Sequence, residues 1–282
     1  MHKIAIIGYG KLGSHLFHSL KKFRKAKVIS IIRKSKSKVN PSLINQSDII
    51  FICTQDSEIS GAVKSLINKS IDLKKKYIFH TSGSLNSGEL IKLKNKGAYT
   101  GSFHPVQTFE SPAKRYSGRF ENIYIAVEGD KESVKLGFRI AKLLNAKPFF
   151  IKKESKIFHH ICCVISSNFL TAHLYQIDKI AHKRIQKIGF NNFSFFSIYK
   201  PLAEQTMKNV ETKGAIKSLS GPIERNDLIT INKHISALRK KHNDILPLYS
   251  LMGIETVGLA LKKKSLTHNQ SKKILRQLNK YL

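Results

Sequence analysis

Three glycines stand close together near the start of the chain, in the segment GYGKLG at residues 8–13. The segment follows a short apolar run and precedes a stretch whose apolar residues recur at helical spacing. The first glycine permits a tight turn, the second lets a ligand approach the backbone, and the third lets a helix pack closely on a strand. Free N–H groups at the start of the helix bind phosphate oxygens. The segment therefore predicts a dinucleotide-binding turn whose cofactor contacts are Gly8, Gly10, Lys11, Leu12 and Gly13.

The end of the second predicted strand indicates which dinucleotide is bound. Sites for NAD have an Asp or Glu about 20 residues after the glycines, where it binds the ribose 2′-hydroxyl. This chain has Arg33 there, followed by Lys34 and Ser35. A guanidinium pairs with a 2′-phosphate, which a carboxylate would repel. The segment predicts NADP(H), and the alternative is ordinary surface charge in a lysine-rich chain.

The elements that must position these residues follow an alternating pattern. Short apolar runs alternate with helical segments through the first half of the chain, as in doubly wound α/β domains. Strands are expected at 3–8, 28–32, 49–53, 77–80, 99–103, 123–128 and 148–151. After residue 152 the pattern is helical throughout. The sequence therefore predicts an α/β fold with a doubly wound dinucleotide-binding domain at 1–152 and an all-α domain at 153–282.

Four further segments occur in an order that resembles a known family. They are HTSGSL (80–85), GSFHPVQTF (101–109), HHICCVISSN (159–168) and LSGPIERNDLITINKH (219–234). The chain resembles the Rossmann-like proteins that carry a DUF2520 domain at the carboxyl end. That family is similar to the pyrroline-5-carboxylate reductases, ketopantoate reductases and 3-hydroxyacid dehydrogenases. The resemblance implies an NAD(P)-dependent oxidoreductase whose helical domain binds substrate and forms a homodimer.

The resemblance also implies a substrate class, a small carboxylate-bearing carbonyl compound with 2-dehydropantoate as the leading member. An imine reductase of the pyrroline-5-carboxylate type is one alternative, and a non-catalytic dinucleotide sensor is another. The related hydroxyacid enzymes have a lysine four residues before an Asn on the first long helix of the second domain. Asn168 matches that Asn, but Val164 stands where the lysine would be. This departure is the main argument for the sensor.

Reduction of a carbonyl requires a proton donor and groups that anchor the substrate. His104 follows the fifth strand, at the sheet edge where open α/β proteins bind ligands, and is the first candidate donor. His160 is the second, and it precedes Asn168 by about two helical turns, so Asn168 is expected to orient the substrate or the nicotinamide. Arg225 is a candidate for bidentate binding of a substrate carboxylate. The alternatives are that His104 belongs to a structural corner and that His160 is a core residue.

Three more residues are expected beside the cofactor because they follow predicted strands. They are Thr54 and Gln55 after the third strand and Ser82 after the fourth. No metal site is predicted, because His159 and His160 diverge on a helix and no histidine pair has Cys or carboxylate partners at a recognised ligand spacing.

Composition sets the remaining expectations. The 282 residues contain 50 Lys+Arg and 18 Asp+Glu, giving a net charge of +32, which attracts polyanions non-specifically. The lysines are scattered and lack the clustered aromatics of a nucleic-acid module, so no specific nucleic-acid partner is expected. Three cysteines form no disulfide framework, which favours a reducing cytoplasm. No secretion signal is recognised, and polar residues at 166–168 and 173 interrupt the best candidate for a membrane span.

Overall fold

The computed structural model describes residues 2–22, 26–32, 39–67, 70–184 and 194–282. The chain forms two compact units, Met1–Asn168 and Phe169–Leu282. Arg33, Lys34 and Ser35, predicted to select NADP(H), lie outside the described residues.

A seven-stranded sheet forms the centre of the first unit. Its strands are β1 (His2–Ile7), β2 (Ala26–Ile32), β3 (Ile49–Ile52), β4 (Tyr77–His80), β5 (Tyr99–Pro105), β6 (Tyr124–Gly129) and β7 (Lys147–Phe150). Their order across the sheet is β2-β1-β3-β4-β5-β6-β7. Strands β1 to β5 run parallel to one another, β6 is antiparallel to β5, and β7 is parallel to β6. The predicted doubly wound sheet is confirmed, and its strand order reverses between β1 and β3, where such sheets bind ligands.

Helices cover both faces of this sheet. They are α1 (Lys11–Lys22), α2 (Pro41–Asn45), α3 (Asp56–Leu66), α4 (Ile91–Lys94) and α5 (Lys131–Leu143). Ile4 and Ile6 of β1 belong to the core under α1 and α5, whereas Ala5 and Ile7 belong to the core under α3 and α4. Burial on both faces explains why β1 is a continuous apolar run in the sequence.

A long helix begins after β7. It consists of a 3₁₀ turn at Lys153–Ser155, α6 (Lys156–Val164), a π-helical turn at Ile165–Phe169, and α7 (Leu170–Arg184). The compact units divide at Asn168, after α6, whereas the sequence predicts domains of 1–152 and 153–282. The reason is that side chains of α6, Lys156 and His159 among them, bond to residues at the edge of the sheet.

The regular secondary structure described in the second unit is all helical. After α7 it contains α8 (Phe196–Lys213), α9 (Ala215–Ser218), α10 (Leu228–Lys241), α11 (Leu246–Lys263) and α12 (His268–Leu278). Helices α10, α11 and α12 share a core that includes Ile231, Val257 and Ile274. Asp227 caps α10 by accepting a hydrogen bond from the Thr230 N–H at 3.0 Å. The predicted helical second half is confirmed for this part of the chain.

One expectation about the long helix is corrected. The segment Lys153–His182 is long and apolar enough to cross a membrane by length and composition, whereas the sequence predicts no membrane span. The mean hydropathy of the segment stays high despite the polar residues within it. Apolar side chains of this helix are exposed, including Phe158, Ile161 and Ile165.

Candidate active site

The glycine turn lies where β1 meets α1 and is held by its own packing. Gly8 has a φ of +96°, and a Cβ there would lie 2.7 Å from the Cys53 carbonyl carbon at the end of β3. A Cβ at Gly13 would overlap the Gly8 carbonyl oxygen. Both positions therefore require glycine for the chain to fold this way.

Gly10 differs from the other two glycines. It is exposed, and a Cβ there would meet no atom within 4 Å. The fold itself therefore does not require glycine at this position. Lys11 and Leu12 begin α1, so the free N–H groups of the first helical turn lie beside this open position.

The residues predicted to contact the cofactor after β3 lie next to the glycine turn. Cys53 donates a backbone hydrogen bond to the Ile7 carbonyl at 2.7 Å, which fixes this connection beside the end of β1. The Thr54 hydroxyl is buried and has no hydrogen-bond partner among the described residues, while Gln55 is exposed at the start of α3. An unsatisfied buried hydroxyl costs free energy unless a ligand or water bonds to it. Thr54 therefore suits contact with a polar ligand atom.

The Ser82 hydroxyl forms hydrogen bonds with other protein groups. Its hydroxyl donates to an Asp56 carboxylate oxygen at 2.8 Å and accepts from the Leu85 N–H at 3.0 Å. Ser84 donates to the same Asp56 oxygen at 2.8 Å. These bonds fix the loop that follows β4. The neighbouring Gly83 lies against two histidine side chains.

Two histidines of the candidate site surround Gly83. His104 lies near the carboxyl end of β5 and His160 lies in α6. A Cβ at Gly83 would lie 2.7 Å from His104 Nε2 and 2.6 Å from His160 Nδ1. The His160 Nδ1 atom is buried without a hydrogen-bond partner among the described residues. The structure therefore brings together the two predicted proton donors, with one ring nitrogen of each facing the same backbone position.

A third histidine completes this group on its other side. His159 Nε2 lies 3.3 Å from His104 Nδ1, and the two rings are nearly perpendicular, at 78°. His159 Nε2 also lies 3.7 Å from the Cys163 sulfur, one turn further along α6. We call His104, His159 and His160 the histidine cluster.

A buried lysine lies beside the cluster and was not predicted. Lys156 begins α6, and only 1% of it is exposed. Its Nζ donates to the Ser82 carbonyl oxygen at 2.8 Å and to the Ser102 hydroxyl. Burial lowers the pKa of Lys156 to about 8, and the Glu128 and Asp56 carboxylates oppose this shift. Lys156 is therefore mostly an ammonium ion at pH 7.

Burial and this ammonium keep the nearby imidazoles neutral. The pKa of His104 is lowered to about 3, first by burial and then by Lys156. The pKa of His80, at the end of β4, is lowered to about 4 for the same two reasons. Burial also lowers the pKa of His159 and raises that of the Cys163 thiol. At neutral pH the site therefore combines one buried cation with the uncharged imidazoles of His80 and His104.

The two predicted substrate anchors belong to different units of the chain. Asn168 is exposed in the π-helical turn, at the end of the first unit. Arg225 is exposed in the second unit, two residues before the cap of α10. Their roles toward a substrate stay predictions.

Comparison with known proteins supports the family resemblance. Residues 123–256 match the model of a family described as a domain of unknown function, DUF2520. No curated protein matches the chain in sequence. The resemblance to DUF2520-containing, Rossmann-like proteins is confirmed by this match together with the fold.

Solved structures share the fold over nearly the whole chain. A candidate NADP oxidoreductase from Bacteroides fragilis is 20% identical with a TM-score of 0.71, and the match covers 91% of this chain and 98% of that one. Protein TM1727 from Thermotoga maritima is also 20% identical, with a TM-score of 0.67 and coverage of 93% and 99%. Pyrroline carboxylate reductase from Plasmodium falciparum, solved with NADP bound, is 14% identical, with a TM-score of 0.56 and coverage of 97% and 98%.

Proposed function

We infer that this DUF2520-containing chain is an NADPH-dependent oxidoreductase that reduces a small carboxylate-bearing carbonyl compound, with 2-dehydropantoate as the leading candidate. The observation that carries the proposal is the arrangement at one edge of the sheet. The open glycine turn and the histidine cluster both lie at the carboxyl ends of parallel strands, where open α/β sheets bind cofactor and substrate. The likeness to proteins named for NADP chemistry supports the same proposal.

The residues at the turn fit a dinucleotide. Gly10 leaves the backbone open where a diphosphate would lie, and the N–H groups that begin α1 would bind its oxygens. The buried Thr54 hydroxyl lacks a partner among the described residues and would bond to a polar atom of the same ligand. When bound, NADPH supplies a hydride to the substrate.

The histidines have the position and charge state to hydrogen-bond the substrate oxygen that gains negative charge during hydride transfer, and the proton that completes the reduction would come from solvent. His104 is neutral at pH 7, so one of its ring nitrogens carries a proton and the other a lone pair. With the proton on Nε2, it would donate a hydrogen bond to a substrate oxygen near Gly83, and His160 would supply a second polar contact from Nδ1. Lys156 links the loop after β4 to β5 and contributes the positive charge that favours an oxyanion.

The proposal is tested by cofactor binding and turnover on the same preparations. We expect calorimetry to detect NADPH binding to the wild-type protein and at least about tenfold weaker binding to Gly10→Ala, because the added methyl obstructs the cofactor but no protein atom. Gly61→Ala is the matched control, since Gly61 lies exposed in α3 and its Cβ would also meet no atom within 4 Å.

Turnover is then measured with 2-dehydropantoate, pyrroline-5-carboxylate and related 2-oxo acids. NADPH oxidation with 2-dehydropantoate or with related 2-oxo acids supports the proposal. Turnover of pyrroline-5-carboxylate alone identifies an imine reductase instead. Tight binding without turnover identifies a sensor. Absence of heat with either pyridine nucleotide overturns the proposal as a whole.

The proposal includes a homodimer in the cytoplasm. Apolar side chains are exposed along α8 at Ile198, Leu202, Met207 and Val210, and a second copy of the chain would cover them. The three cysteines are free, which suits a reducing compartment. Light scattering should give twice the chain mass for the wild-type protein and the chain mass for Leu202→Glu. A monomeric wild-type protein would exclude the dimer.

A further inference from the structure

Three side chains near the edge of the sheet direct possible metal-binding atoms toward one point. His104 comes from β5, and His159 and Cys163 come from α6, where a separation of four residues places them on one face of the helix. One ligand atom from each residue can be chosen so that all three lie within 4.8 Å of one another. Each residue is partly buried, so the point they surround is sheltered from bulk water but remains accessible.

Two of the three distances between these atoms match the edges of a tetrahedron around a metal ion. With zinc–nitrogen distances of about 2.05 Å and a zinc–sulfur distance of about 2.3 Å, tetrahedral ligands stand about 3.3 Å apart for two nitrogens and about 3.6 Å apart for nitrogen and sulfur. The observed separations are 3.3 Å between His104 Nδ1 and His159 Nε2, and 3.7 Å between His159 Nε2 and the Cys163 sulfur. Small side-chain rotations would therefore complete the ligand geometry.

A metal ion would satisfy these three atoms together. His159 Nε2 faces both other ligand atoms, yet a neutral imidazole nitrogen holds either a proton or a lone pair. A metal ion accepts lone pairs from all three atoms at once. The donor set of two imidazole nitrogens and one sulfur favours zinc and similar transition metals over magnesium or calcium, which prefer oxygen ligands.

We propose that His104, His159 and Cys163 form a three-ligand site for a divalent transition metal of the zinc class, with the fourth position open. The Cys163 thiol releases its proton to solvent when it binds the metal. Ligation at His104 Nδ1 leaves the remaining ring proton on Nε2, the nitrogen that faces Gly83. The site would thereby fix the tautomer of His104 that the proposed reductase uses, although metal binding itself does not depend on the reductase proposal.

The test uses the full chain, stripped of metal with a chelator and kept reduced, and titrated with Co²⁺ as a spectroscopic substitute for zinc. We expect one equivalent to bind, with visible bands of tetrahedral cobalt and a thiolate-to-cobalt charge-transfer band in the near ultraviolet. Cys163→Ser should lose the charge-transfer band, and His159→Ala should weaken binding at least about 100-fold. Cys162→Ser is the matched control, because Cys162 is its neighbour on the same helix and is exposed. That variant should keep both features.

A second measurement needs no variant. The ¹¹³Cd NMR shift of the cadmium-loaded wild-type protein should report one sulfur and nitrogen ligands. Absence of stoichiometric Co²⁺ binding, a cadmium shift without sulfur, or equal loss of the charge-transfer band in Cys162→Ser and Cys163→Ser would overturn the site. NADPH calorimetry on the metal-free protein separates this failure from failure of the reductase proposal, because Gly10 and Thr54 are not ligands.

Discussion

The glycine turn and the histidine cluster lie at the same edge of one sheet but are built in opposite ways. The turn is continuous in sequence, and its properties come from backbone atoms and missing side chains. The cluster joins residues 55 positions apart, His104 and His159, and its properties come from side-chain nitrogens in a buried setting. A backbone site is therefore defined by local packing, whereas a side-chain site depends on how distant elements are brought together.

The two regions also differ in what holds them. Gly8 and Gly13 pack against backbone atoms that leave no room for a side chain at either position. The cluster instead lies beside a buried ammonium, Lys156, which costs free energy to remove from water and is held by bonds to Ser82 and Ser102. Substitutions in the turn should therefore act mainly on folding and cofactor binding, and substitutions in the cluster mainly on rate and pH dependence.

The largest expected effect is on the chemistry of the cluster. His104→Gln should lower kcat by about 100-fold to 1,000-fold in the proposed reaction, the range for loss of one hydrogen-bond donor to a developing oxyanion, and leave NADPH affinity within about threefold. His2→Gln is the control, because His2 is exposed at the amino end of β1. Steady-state kinetics and calorimetry check the prediction. A variant with full activity would remove His104 from the chemistry.

The next effect concerns folding of the turn. Gly13→Ala should lower the free energy of unfolding by about 3 kcal/mol, because its Cβ overlaps a backbone oxygen that cannot move without shifting the turn. Gly10→Ala should leave that free energy nearly unchanged. Urea unfolding followed by circular dichroism measures both. Equal losses in the two variants would contradict the distinction drawn between them.

Acid should destabilise the region around the end of β4. Folded His80 has a pKa of about 4, whereas the unfolded chain titrates near 6.5, so only the unfolded state gains this proton as the pH falls between these values. This contribution to stability is present above pH 6.5 and declines by about 2 kcal/mol by pH 5. Urea unfolding at several pH values should show a shallower decline for His80→Gln than for the wild-type protein or His2→Gln. Identical slopes for all three would show that His80 does not carry the effect.

The smallest predicted effect tests Lys156 as a positioning residue. Its lowered pKa of about 8 means that the ammonium form predominates below pH 8 and is lost above it. We expect kcat/KM to fall above pH 8 in the wild-type protein. Lys156→Met should lose about tenfold at pH 7, roughly the contribution of one charged hydrogen bond, and should lack this alkaline decline. Lys152→Met, at an exposed position nearby, should retain the wild-type profile. If kcat/KM still falls above pH 8 in Lys156→Met, a group other than Lys156 causes the decline.

Features that depend on neighbouring residues in the sequence could be predicted. Features that depend on packing between distant segments could not. The glycine spacing and the apolar runs predicted the turn and the sheet because both signals lie within a few neighbouring residues. Lys156 lies in a lysine-rich stretch, KKESK, so nothing in its neighbourhood distinguishes a buried lysine from an exposed one. Only the approach of α6 to β5 reveals it.

The helix that carries the cluster illustrates the same limit. The sequence placed His160 and Asn168 on it but did not connect His159 with Cys163, because a pair with this spacing becomes informative only when a third ligand from another element faces it. The π-helical turn at Ile165–Phe169 also leaves no recognisable pattern in composition. The residues 33–35, by contrast, are a sequence-level prediction that binding experiments with NADH and NADPH must decide.

Because Gly83 has no side chain, α6 can pack close to the loop after β4. Any side chain at this position would occupy the volume now taken by two imidazole edges, so the helix would have to stand off from the loop and the hydrogen bond from Lys156 to Ser82 would stretch. One hydrogen atom in place of a methyl group thus permits the close assembly of helix, loop and strand.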